Sequence, residues 1–259
     1  MKGDDCFLSI MNKYFKLILV AIVFILSFAS IYITSVDYEY ATYVRVDEET
    51  GEEEIVDTRD YDEDELRTQM AFDYFNLKKQ NSDTVAWLNV PNIGYYPIVA
   101  AEDNQFYLNH DEYKRNSSLG CPFLNTKSEK SFKDVALIHG HHIKNGRIFG
   151  SLKKYKDTEF FQTNDLICVF DGEYYYYYKP FTVFLYEDGE ANLFKFGLVD
   201  TFRTKYVDRL LERSLAKMEV GAEINPHNQI IFLTTCDYQF TNARLCVGGI
   251  MVEQIKYEE

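Results

Sequence analysis

Ile230-Ile231-Phe232-Leu233-Thr234-Thr235 and Leu245-Cys246-Val247-Gly248-Gly249-Ile250-Met251-Val252 are two apolar runs joined by the polar stretch Cys236–Arg244. Ile, Val, Phe and Thr at this density favour strands, and nine residues leave room for one turn between them. Similar runs lie upstream, at Val85–Val90, Tyr96–Val99, Val135–Ile138, Leu166–Phe170, Tyr174–Tyr178 and Thr182–Leu185, with Gly, Asn, Asp and Pro between them. Short strands at this spacing predict an all-β barrel or sandwich. Two helices complete the reading. One spans Leu66–Gln80, with Met70, Phe72, Phe75 and Leu77 apolar. The other spans Val207–Met218, with Leu210, Leu211, Leu215 and Met218 on one side. The five tyrosines Tyr174–Tyr178 are expected to face core and solvent alternately; carbohydrate stacking is the alternative.

The chain has 259 residues, enough for a substantial core, and is 46% hydrophobic, which excludes a disordered polymer. Its net charge of −14 argues against nucleic-acid binding, which rests on Lys and Arg. Five cysteines do not make a disulfide scaffold. The charge is concentrated: residues 37–65 hold 14 acidic and two basic side chains, and this block is read as a solvated linker. Ahead of it, Leu17–Ile33 is an uncharged run of 17 residues with Lys2, Lys13 and Lys16 on its N-terminal side. It reads as a single membrane span with the N-terminus cytoplasmic. A cleaved signal peptide ending near Ser27-Phe28-Ala29 is the competing reading, and the apolar continuation through Ile33 argues against it. The expected organisation is a short cytoplasmic tail (1–16), an anchor (17–36), the acidic linker (37–65) and a catalytic domain (66–259).

Three features in that domain bear chemistry. His139-Gly140-His141-His142 ends one apolar strand, Thr234-Thr235-Cys236 ends another, and Arg244 opens the last. A thiolate is a nucleophile, an imidazole can exchange its proton, and a guanidinium can hold an acyl oxyanion. By spacing alone, Cys236 also fits a buried apolar thiol. The three histidines also invite a metal reading. On a strand, however, His142 points away from the other two, so no metal is expected.

Taken in order, these residues resemble the sortases, most closely class B. The resemblance runs from about Phe75 to Val252. It rests on Asn81-Ser-Asp-Thr-Val-Ala-Trp-Leu-Asn-Val90, Tyr96-Pro-Ile-Val99, Asp103-Asn-Gln-Phe-Tyr-Leu-Asn109, Gly120-Cys-Pro-Phe123, His139-Gly-His-His142 with Arg147-Ile-Phe-Gly-Ser-Leu152, Thr234-Thr-Cys236 and Arg244. Ala86, Tyr95 and His139 depart from the family pattern, which has Gly, Asp and Tyr there. The resemblance implies a mainly β fold, an eight-stranded β-barrel with added helices, preceded here by the transmembrane helix. It implies a membrane-anchored cysteine transpeptidase of Gram-positive bacteria. Such an enzyme cleaves a C-terminal sorting signal of secreted proteins after Thr through a thioester, then joins the product to a peptidoglycan-precursor amine. No cofactor is implied. By motif position Cys236 is the nucleophile, His141 the acid/base and Arg244 the oxyanion or substrate holder, helped by the main-chain N–H of Asp237. Asn104, Leu108 and Thr234 are expected along the peptide groove. His142 is a neighbour, and Cys246, two residues past Arg244 on the same strand face, is expected to be an inert packed thiol. Competing readings are a pilin-polymerising sortase using a Lys acceptor, a silent wall-binding module and a hydrolytic cysteine peptidase.

Overall fold

The tyrosine run opens the longest strand pair of the molecule. In the computed structural model, which describes residues 42–46, 50–58, 60–130, 132–144, 146–190, 193–197, 199–218 and 225–258, β8 (Tyr174–Glu187) runs antiparallel to β10 (Ala243–Lys256). The other strands are β1 (Thr42–Val46), β2 (Glu53–Asp57), β3 (Thr84–Val90), β4 (Gly94–Val99), β5 (Phe123–Leu124), β6 (Val135–His139), β7 (Ile167–Phe170) and β9 (Ile230–Cys236). Eight of them close a barrel in the order β10-β8-β7-β3-β4-β5-β6-β9, with β9 completing the ring against β10. The eight-stranded barrel expected from the family resemblance is therefore present. Among the described residues the helices are α1 (Glu63–Gln80), α2 (Thr158–Thr163) and α3 (Asp200–Arg213), with short 3₁₀ turns at Phe106–Leu108 and Gly150–Lys156.

The strands read as unbroken apolar runs because both of their faces are covered. Leu88, Ile98, Ile138, Tyr176, Tyr178, Leu233 and Val247 fill the barrel interior. Trp87, Tyr95, Phe170, Tyr175 and Tyr177 face outward under α1. Phe184, Phe232 and Cys246 face outward under α3, with Val207 and Leu210. Alternate tyrosines do point to opposite faces, but Tyr175 and Tyr177 meet α1 rather than solvent.

Three expectations change. The acidic segment 37–65 is not a free linker over its described part. β1 and β2 form an antiparallel hairpin, with Tyr43 and Val56 buried against the α1 face of the barrel. The Tyr43 ring meets Trp87 edge-on at 4.8 Å. Arg45 reaches the buried Asp73 of α1 at 2.9 Å, and Asp73 also accepts from Tyr95 Oη at 2.8 Å and Gln69 Nε2 at 2.9 Å. Second, α1 begins at Glu63 rather than Leu66. Asp62 caps Glu65 N–H at 2.9 Å, and Glu65 returns to Asp62 N–H at 3.0 Å. Glu63, Asp64 and Glu65 thus sit in the first turn, where the helix dipole favours negative charge. Third, α3 ends at Arg213. Ser214 and Leu215 leave it to pair with β8, Ser214 Oγ accepting from Val183 N–H at 3.0 Å and Leu215 N–H donating to Val183 O at 2.6 Å. Leu215 is accordingly exposed rather than aligned with Leu210.

The expected cytoplasmic tail (1–16) and membrane span (17–36) lie outside the described residues. Among the described residues, no helix is long and apolar enough to cross a membrane.

Candidate active site

Sheet register brings the chemistry together. β9 and β10 are antiparallel with Cys236 directly opposite Arg244 and Thr234 opposite Cys246. Residues paired this way share a face. The turn that joins them is closed by Asp237 N–H donating to Ala243 O at 2.8 Å. Arg244 Nη1 donates to Cys236 Sγ at 3.1 Å, and Nη2 donates to Asp188 Oδ2 at 2.8 Å.

The histidines arrive from the other side of β9. β6 runs parallel to it, with His139 beside Thr234, and Gly140 N–H continues the ladder to Thr234 O at 3.1 Å. Continued two residues, this register puts the 141–142 loop level with Cys236. The His141 Nε2–H donates to Leu108 O at 2.8 Å, since a carbonyl can only accept. Nδ1 is therefore the nitrogen of His141 left for proton exchange. Two glycines make room. A Cβ on Gly140 would lie 2.6 Å from the Phe149 ring. One on Gly120, whose φ is +63°, would lie 2.6 Å from Tyr107 O and 3.1 Å from the His141 ring.

His142 is more than a neighbour. Its Nδ1–H donates to Cys236 O at 2.9 Å, and its ring meets Tyr238 edge-on at 5.1 Å. It holds the main chain at Cys236. His139 stacks on Phe123 and its Nε2 bonds the Asn125 side-chain amide at 2.9 Å; as Nδ2 is the donor there, that nitrogen accepts. Burial, then the nearby Arg244 cation, pushes its pKa down to about 4, so it is neutral at pH 7. The three imidazoles thus bond three different partners, the Asn125 amide, Leu108 O and Cys236 O.

The expected substrate residues separate. Leu108 is at the site through its carbonyl, which holds His141. Asn104 is engaged with Thr126, accepting its N–H at 2.9 Å and donating to its hydroxyl at 3.2 Å. Thr234 does not line an open groove. It is 1% exposed, and its hydroxyl donates to Leu245 O at 3.1 Å and accepts from Tyr186 Oη at 2.8 Å. The Asp237 N–H expected at the oxyanion is committed to Ala243 O, so Arg244 is left as the donor beside the sulfur. Burial alone would raise the Asp237 carboxyl, but Lys156 Nζ at 2.6 Å holds it below its ordinary pKa and ties the turn to the end of the second 3₁₀ segment. Cys246 shares the face of Arg244 as expected. It is fully buried, and desolvation raises its thiol well above the ordinary value, so it stays protonated. Asp188, Asn125 and Lys156 escape sequence reading. Each is a common polar residue that gains its role only from pairing across the barrel.

No family model matches the chain. A curated Sortase B of Listeria monocytogenes is 27% identical over 187 residues, covering 68% of this chain and 73% of that protein. The crystal structure of Clostridium perfringens sortase B matches with a TM-score of 0.64 at 27% identity, covering 69% of this chain and 99% of that one. A Staphylococcus aureus sortase B–substrate complex shares the fold at a TM-score of 0.64 and 20% identity, covering 73% of this chain and 90% of that one.

Proposed function

On the premise that this chain belongs to the sortase family, class B, and is a sortase transpeptidase, we propose that it cleaves a C-terminal sorting signal of secreted proteins after Thr and joins them to a cell-wall amine. The observation that carries the reading is the 3.1 Å contact of Arg244 Nη1 with Cys236 Sγ, fixed by direct cross-strand pairing. Cys236 thiolate attacks the Thr carbonyl, and Arg244 stabilises the oxyanion that develops next to the sulfur. Collapse expels the C-terminal fragment as an amine, which takes its proton from His141 Nδ1 and leaves a thioester. The wall amine then attacks the thioester and gives its proton back to His141 as Cys236 departs. His141 Nε2 stays bonded to Leu108 O throughout, which keeps Nδ1 as the exchanging nitrogen.

The setting follows from the same reading. The Leu17–Ile33 run anchors the chain with its catalytic domain outside the membrane, the side on which secreted proteins and wall precursors are available. Tethering raises the effective concentration of both substrates.

The test is a sorting-peptide library incubated with the protein, with and without an added oligoglycine amine. We expect a thioester adduct at Cys236 detected by mass, and capture of the acyl product by the amine. Cys236→Ala abolishes both, and Cys246→Ala keeps them. Cleavage with no capture makes the protein a hydrolytic peptidase, and no adduct on any peptide makes it a silent module; either result overturns the proposal.

A further inference from the structure

Arg244 serves two partners, and the reaction above uses one. Its Nη1 is on the Cys236 sulfur at 3.1 Å, and its Nη2 is on Asp188 Oδ2 at 2.8 Å. We propose that Asp188 is a positioning residue: its carboxylate holds the far arm of the guanidinium so that the near arm stays on the sulfur and then on the oxyanion. The inference rests on the transpeptidase reading, since it gives Arg244 a developing charge to meet.

The backbone places the carboxylate. The β8–β10 ladder pairs Arg244 with Tyr186 and Ala243 with Glu187, and Asp188 follows immediately, its N–H donating to Asn242 O at 2.9 Å. Asp188 therefore hangs from the same turn that separates Cys236 from Arg244. A guanidinium is a rigid planar fork, so fixing one Nη sets the direction of the other. Without that hold, Arg244, itself 30% exposed, is a long side chain with several rotors and one partner at a sulfur. A contribution to fold stability is a poor explanation of the pair. The Asp188 side chain is 57% exposed, and solvent-screened ion pairs add little to folding.

Charge points the same way. Among the described residues, the ionisable groups gathered around Cys236 are Arg244 from β10, Tyr186 and Asp188 from the end of β8, His139, His141 and His142 from β6 and its loop, and Asp237 and Tyr238 with Lys156. Lys156 neutralises Asp237 at 2.6 Å, so Asp188 is the carboxylate that offsets Arg244. Asp188 thus tempers the cation that favours the thiolate while it aims the donor.

Two variants of the full chain separate aim from charge. Asp188→Asn keeps an oxygen for Nη2 and removes the charge; Asp188→Ala removes both. Two readouts apply: the pH midpoint of iodoacetamide alkylation at Cys236, read on the Cys236 peptide by mass, and kcat and KM with a cleaved sorting peptide. Thermal unfolding confirms that both variants keep the fold. For Asp188→Asn we expect kcat near wild type and an alkylation midpoint at lower pH, because the Arg244 charge is no longer offset. For Asp188→Ala we expect kcat to fall by up to about 100-fold with KM held, the loss typical of a misplaced catalytic group. An unchanged kcat in Asp188→Ala, or a midpoint in Asp188→Asn that stays or rises, overturns the proposal. Alkylation needs no peptide. A midpoint that shifts as expected in a protein that cleaves no sorting peptide upholds the charge coupling and overturns the transpeptidase reading instead.

Discussion

His139 stands between Phe123, its partner in the antiparallel β5–β6 ladder, and Thr234, its partner in the parallel β6–β9 ladder, two residues short of the proposed acid/base. Its pKa, lowered to about 4 by burial and by Arg244, ties fold stability to pH. In the unfolded chain the imidazole titrates near its ordinary ~6.5. Between those values the unfolded state binds the extra proton, so the contribution of His139 to stability is present above about pH 6.5 and is lost as pH falls towards 4. Glu112 acts in the opposite sense, since burial raises its pKa to about 7 and favours the fold once the carboxyl is protonated. The His139 part is therefore read as a difference. We expect the fall in urea-unfolding stability between pH 7.5 and pH 5 to be smaller in His139→Tyr than in wild type; an equal fall would show that His139 takes up its proton in the folded state. Cys236, His141 and Arg244 were legible as candidates through the motif order of the family resemblance, since spacing alone left Cys236 a buried apolar thiol as well. The commitment of the Asp237 N–H to Ala243 O was not, because a main-chain donor leaves no trace in sequence.

At the scale of elements, the hairpin β1–β2 decides where the folded domain begins. Arg45 is the cation facing Asp73, whose side chain is fully buried, and desolvation raises the Asp73 pKa even with Arg45, Gln69 and Tyr95 bonded to it. Removing one member of such a pair leaves an uncompensated buried charge, a loss of about 3–5 kcal/mol. The edge-on contact of Tyr43 with Trp87 adds about 0.5–1.5 kcal/mol. We therefore expect Arg45→Met to lower the urea midpoint markedly and Arg45→Met with Asp73→Asn to recover part of the loss. A chain starting at Asp60 is expected to unfold at lower denaturant than one that keeps the hairpin. Equal midpoints for those two chains would mean that β1 and β2 contribute nothing to the barrel. The barrel strands could be read from sequence because burial on both faces makes them long apolar runs. The hairpin could not, because Val44, Glu53, Glu54 and Ile55 are solvent-facing and, among its described side chains, Tyr43 and Val56 carry the burial. The early start of α1 was hidden for a related reason: acidic residues in a first turn look like linker until the Asp62–Glu65 box is recognised.

For the whole molecule the charge distribution makes an argument about placement. Residues 37–65 carry a net −12 of the chain's −14, and an uncharged apolar run of 17 residues precedes them, with three lysines on its other side. The lysines beside the apolar run are what motivates the proposed orientation, with that end in the cytoplasm. The hairpin bounds where the proposed cleavage can fall. Since Tyr43 is already buried in the domain, the proposed orientation predicts that protease acting from outside cuts ahead of β1. Protease added to intact protoplasts of cells carrying an N-terminal tag should cleave there. The expected outcome is a released fragment that contains β1 and β2 and still forms the Cys236 adduct, with the tag protected inside. A domain that survives protease on intact protoplasts and is cut only after lysis would place Cys236 in the cytoplasm. It would then be beyond the reach of secreted proteins, and the proposed wall-anchoring role would fall even if the thiol chemistry remained.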